Sequence, residues 1–109
     1  MSLVRFLLVL ASATWSAPPR EDVFGYIKYG DGVIERGVKI EITCRGKTYS
    51  GETDEFGSYR IYVAENGQCT LIAHFRGQAP SLPVYSYDTS VRYNLRMVEG
   101  DGRYSLERI

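Results

Sequence analysis

Histidine is almost missing from this chain: 109 residues hold one, His74. A zinc site needs several ligands, and a hydrolase needs a base beside an oriented nucleophile; a single histidine supplies neither. The sequence also lacks a Ser-His-Asp grouping, a glycine-rich phosphate loop and a Cys-x-x-Cys pair, so no catalytic residue, metal or cofactor is expected. An excess of charge of one sign is absent too. Thirteen basic residues balance thirteen acidic ones, and no long-range field draws nucleic acid or an anionic membrane. The apolar run "FLLVLASA" falls short of the roughly 20 residues that a transmembrane helix needs, so no stable membrane span is expected. Beyond that run there is no helical apolar period, no internal repeat and no low-complexity tract.

Cysteine is scarce but even, with Cys44 and Cys69. Whether they matter depends on the compartment. "MSLVR" carries one positive charge, "FLLVLASA" is a short apolar stretch, and Ala11-Ser12-Ala13 reads as an A-x-A cleavage site. This pattern predicts an export signal over residues 1–13 and a mature start at Thr14, with a cut after Ala17 as the alternative. Losing Arg5 leaves 12 basic residues against 13 acidic ones. The expected localisation is periplasmic or secreted. In that setting two cysteines predict one disulfide, Cys44–Cys69, with two buried thiols as the alternative. Closing a loop of this length stabilises by roughly 3 kcal/mol through loss of unfolded-state entropy.

What the chain does have is tyrosine, nine copies, with eleven glycines and many β-branched residues. That mixture favours strands and tight turns. Residues 14–22 read as an extended lead-in and residues 23–109 as one domain. Val23, Gly25 and Ile27 alternate with polar or half-exposed neighbours. So do Val38, Ile40, Ile42 and Cys44, then Tyr59, Ile61 and Val63, then Cys69, Leu71, Ala73 and Phe75. A period of two marks half-buried strands. Asn66-Gly67 reads as a hairpin signal, "RGQAPSLP" as a loop, and "EGDG" as a turn between the last two strands. The expected fold is all-β: a single antiparallel sandwich of seven to eight strands.

The stretch "TDEFGSYRIYV" carries the sharpest local signal. Asp54 can bond its own backbone and start a turn, and Gly57 closes it. Thr53, Asp54, Gly57 and Tyr59, preceded by Gly25 and Gly37-Val38 and followed by Gly67, Phe75 and Gly77, form an ordered pattern. In it, residues 23–78 resemble the carboxypeptidase regulatory-like domains, also called transthyretin-like or prealbumin-like domains. The resemblance implies a Greek-key sandwich, a structural role for the turn, and no catalysis. It also implies folding support, or docking of a protein or sugar at the envelope.

Two chemical variants of that resemblance make different demands. The transthyretin-like 5-hydroxyisourate hydrolases imply histidines near both ends of the domain and a C-terminal Tyr-Arg-Gly-Ser; this chain ends "RYSLERI". The B-type repeats of Gram-positive adhesins imply an isopeptide bond, for which Lys28, Asn94 and Glu41 or Glu52 are the available residues. Lys28 and Asn94 both alternate outward. The remaining expectation is binding. "PSLPVYSYDTSVRY" offers Tyr85, Tyr87 and Tyr93 for a protein partner, or for carbohydrate as the alternative. Arg92, Arg96, Arg103 and Arg108 are expected to form a solvated face with Glu99, Asp101 and Glu107. Edge strands leave oligomer formation open.

Overall fold

A computed structural model describes residues 21–109. The expected export signal, residues 1–13, and residues 14–20 of the lead-in lie outside the described residues. The described chain is all-β, with two sheets and no helix among those residues. Its strands are β1 (Asp22–Tyr29), β2 (Gly32–Val33), β3 (Lys39–Cys44), β4 (Lys47–Glu52), β5 (Ser58–Tyr62), β6 (Gly67–His74), β7 (Ser81–Ser86), β8 (Val91–Arg92), β9 (Leu95–Gly100) and β10 (Arg103–Arg108).

One sheet runs β4-β3-β6-β7, and all of its pairings are antiparallel. The other runs β10-β9-β1-β2, with β5 and β8 lying along the first half of β1. Two short strands, β2 and β8, raise the strand number above the seven or eight expected. The expectation of a wholly antiparallel fold also needs correction. β1 pairs in parallel with β8 and with β9, because the chain reaches them by crossing over from β7 in the other sheet. β8 and β9 keep a single register against β1, from Phe24↔Arg92 to Ile27↔Leu95, interrupted at Tyr93 and Asn94.

Burial explains why the alternating residues form these strands. Val23, Ile27, Ile61, Leu95 and Met97 from one sheet meet Ile40, Ile42, Leu71, Ala73 and Val84 from the other in one buried cluster. Each of these Val, Ile, Leu and Met side chains contributes about 1.5–3 kcal/mol when it leaves water, and Ala73 less. Gly51 sits on the inward side of β4, where a Cβ would lie 3.2 Å from the Ile61 side chain. The β3–β4 and β9–β10 hairpins close through Arg45-Gly46 and Asp101-Gly102, both residues of each turn having positive φ. Such two-residue turns match the strand twist.

Asn66-Gly67 does not make a hairpin. The Val63 N–H donates to the Glu21 carbonyl, extending the β5–β1 pairing. Gly67 then pairs with Ser86 in the other sheet, so the segment is a crossover. The expected loop "RGQAPSLP" is shorter than its composition suggests, since β7 starts at Ser81 and includes Pro83. Proline is tolerated there because β7 is an end strand and the Pro83 nitrogen faces away from β6.

Cys44 and Cys69 form a disulfide with Cα atoms 4.5 Å apart. They lie one step beyond the Thr43↔Thr70 pair, on neighbouring strands of the same sheet. That spacing is the one antiparallel strands adopt at a non-hydrogen-bonded pair, so the bridge fits the ladder. A different device fastens the two sheets at one end. Tyr29, Phe75 and Tyr104 pack edge to face, with ring centroids 4.9–6.2 Å apart. Gln78 donates to the Gly102 carbonyl and accepts from the Tyr104 N–H, each at 2.8 Å.

Candidate functional site

The Thr53–Tyr59 segment joins β4 to β5, and each of its signature residues has a geometric task. The Thr53 hydroxyl accepts the Val38 N–H at 2.9 Å and donates to the Glu35 carbonyl at 2.7 Å, which anchors the loop before β3. Asp54 Oδ1 accepts the N–H groups of Phe56 and Ser58, both at 2.9 Å. Gly57 has φ 71°, and a Cβ there would meet the Val33 side chain at 2.7 Å. Tyr59 lies opposite Gly25 in the β1–β5 ladder. Its hydroxyl donates to the Tyr93 carbonyl at 2.7 Å, and burial pushes its phenol pKa up. Gly25 makes room for this arrangement, because a Cβ would fall 2.0 Å from the Tyr93 oxygen.

The three tyrosines singled out for binding separate. Tyr85 on β7 and Tyr87 just after it are 46% and 50% exposed, while Tyr93 is 5% exposed. Tyr93 is therefore a core residue and presents no ring to a partner. It turns inward where the β8–β9 line is interrupted beside Gly25, and Arg108 stacks over its ring at 4.2 Å. Its hydroxyl accepts the Tyr85 N–H at 2.8 Å. Of the other tyrosines, Tyr62 is exposed, whereas Tyr29 and Tyr49 pack against the core.

His74 faces outward on β6 and hydrogen-bonds Glu41 across the β3–β6 pair at 2.7 Å. That bond, ahead of the nearby Lys39 charge, holds the Glu41 carboxyl below the usual carboxylate range. The structure does not assemble the isopeptide set. Asn94 Oδ1 accepts the Tyr26 N–H at 3.3 Å, Lys28 is exposed on β1, and Glu41 belongs to the other sheet. The C-terminal arginines are not paired with their acidic neighbours, since no ion pair joins them among the described residues. Arg92 and Arg108 stack on aromatic rings instead. Arg76, which the sequence did not single out, donates to Tyr29, Tyr104 and Glu35. Those bonds raise its pKa, Tyr104 contributing most. The Tyr29 phenol is also raised, chiefly by its hydrogen bonding with Tyr104.

A cleft of about 460 Å³ opens on the outer face of the six-stranded sheet. Register builds it. Arg60, Phe24 and Arg92 form one row across β5, β1 and β8, and Ser58, Tyr26 and Asn94 form the next. Both guanidinium groups stack on Phe24, at 4.3 and 5.1 Å from its centroid. Arg60 also pairs with the buried carboxylate of Asp22 at 2.9 Å. Glu52 and Asp54, from the end of β4 and the turn after it, close one side. Sequence reasoning missed this cleft, because its residues are scattered over four segments; only the outward parity of Phe24 and Tyr26 hinted at it.

No family model matches the chain, and no curated protein matches it. Among solved structures it is similar to a DUF3823 family protein from Parabacteroides merdae, with a TM-score of 0.51 and 12% identity. The match covers 84% of this chain and 48% of that one, so the chain spans about half the length of that protein. At this identity the likeness speaks for the fold alone.

Proposed function

We propose that this chain is a non-catalytic, exported β-sandwich module that binds a protein partner in the envelope or extracellular space. The observation that carries the reading is the pair Tyr85 and Tyr87. They stand two residues apart, Tyr85 on the end strand β7 and Tyr87 just after it, both half exposed. The Tyr93 hydroxyl pins the backbone beneath them. Rigid amphipathic rings of this kind give a partner large contact area at low entropic cost. The disulfide supports export, since such bonds persist in oxidising compartments. A non-catalytic role is supported by the placing of His74, which is tied to Glu41 and does not line the cleft.

The same reading takes the fold as a Greek key of the carboxypeptidase regulatory-like kind. The roles of Gly25, Thr53, Asp54, Gly57 and Tyr59 in joining the strands support it. Affinity capture from the native envelope fraction, with the wild type and the Tyr85→Ser/Tyr87→Ser variant side by side, tests the function. One stoichiometric protein retained by the wild type and lost by the variant is expected. Capture of no protein, or equal capture by both, overturns the proposal.

A further inference from the structure

Neither Tyr85, on β7 of the other sheet, nor Tyr87, just after it, lines the cleft on the six-stranded sheet, and the cleft's chemistry is different. Its polar groups divide evenly between donors and acceptors with unspent capacity. Arg92 makes no ion pair among the described residues. Asn94 uses its oxygen on the Tyr26 N–H, which leaves its amide hydrogens to donate. Across from them, Asp54 spends one carboxylate oxygen on the turn and keeps the other, and the Glu52 carboxylate is exposed. Tyr26 adds a partly exposed ring.

This balance selects by charge. An anion approaching Arg92 meets Glu52 and Asp54, and a cation approaching those meets Arg60 and Arg92. Ion pairs in such an open cleft are screened and contribute little. A neutral polyhydroxylated ligand suffers neither repulsion. Each of its hydroxyls both donates and accepts, so it can use the guanidinium and amide N–H groups together with the carboxylates. Its C–H faces can rest on the Tyr26 ring. We infer that the cleft is a binding site for a neutral saccharide, held between Arg92 and Asn94 as donors and Glu52 and Asp54 as acceptors. This site is additional to the protein-binding surface and does not depend on it.

The test is an amide-resolved NMR titration of the ¹⁵N-labelled chain with glucose, galactose, mannose, N-acetylglucosamine and maltotriose. Galacturonate, glucosamine and glycylglycine serve as charged and zwitterionic comparators. At least one neutral sugar should give saturable shifts at Tyr26, Ser58 and Asn94, with a Kd on the order of 1 mM. Arg92→Gln and Glu52→Gln, both exposed positions that leave the core intact, should each weaken binding about tenfold or more. Tyr85→Ser/Tyr87→Ser should leave it unchanged, which separates a failure here from a failure of the protein-binding proposal. The inference is overturned if no neutral sugar shifts the cleft amides, if a comparator binds more tightly, if shifts centre on Tyr85 and Tyr87, or if both cleft variants bind like the wild type.

Discussion

Gly25 and Tyr59 face each other in the β1–β5 ladder, and the bond they permit sets the energetics of this region. Tyr59→Phe removes one buried hydrogen bond and leaves the Tyr93 carbonyl short of a donor, a loss of about 1–2 kcal/mol. Gly25→Ala places a methyl group inside the Tyr93 carbonyl, where only backbone movement relieves the clash. It should cost more, about 3 kcal/mol or above. Urea unfolding of the two variants checks the order; an alanine variant as stable as the phenylalanine one contradicts the close approach. Glu41 is the second residue with a measurable consequence. Its carboxyl is depressed in the folded state by the His74 hydrogen bond. The stability it adds is therefore present above the ordinary carboxylate range and lost as pH falls from there through the lower folded-state value. Thermal melts across that window should fall less steeply for Glu41→Gln than for the wild type, and parallel curves would remove the linkage.

Strand edges behave differently at the two ends of the four-stranded sheet. The Ala73 N–H donates to the Pro80 carbonyl, which sets the parity of the β6–β7 ladder and turns the backbone of Ser81, Pro83 and Tyr85 outward. Pro83 has no N–H, and the Tyr85 N–H is taken by Tyr93, so two of the three outward positions offer no donor. On β4, the Thr53–Val38 bond sets the opposite edge, where Thr48, Ser50 and Glu52 direct their backbone groups away from β3. β4 is therefore the open edge and the position at which an added strand would pair. Hydrogen exchange should find the Ser50 amide exchanging faster than its neighbours Tyr49 and Gly51. The Tyr85 amide should be protected and should accelerate by roughly ten- to a hundredfold in Tyr93→Phe, in line with losing about 1.5–3 kcal/mol of local protection. Slow exchange at Ser50 would mean that β4 is covered. The alternation of β3, β5 and β6 made these strands legible in the sequence. Asn66-Gly67 misled because its local hairpin preference lost to the burial of strands on either side of it in different sheets.

At the scale of the whole molecule, the Cys44–Cys69 bridge acts on the unfolded chain rather than between the sheets, since both ends sit in one sheet. Breaking it in Cys44→Ala/Cys69→Ala should lower unfolding stability by roughly 3 kcal/mol, less any cavity effect, without changing the strand registers. A denaturant midpoint indistinguishable from the oxidised wild type would count against it. What holds the two sheets together is the shared apolar core and the Tyr29–Phe75–Tyr104 cluster with Arg76 beside it. Strand periodicity, the cysteine pair and the Asp54–Gly57 turn were readable from the chain, because each depends on residues close together or on a parity that local sterics impose. The parallel course of β9 beside β1, the burial of Tyr93 and the cleft of Arg60, Phe24 and Arg92 were not. They depend on which distant segments become neighbours once the apolar faces pack, and a one-dimensional pattern carries the parity of each strand without naming the strand beside it.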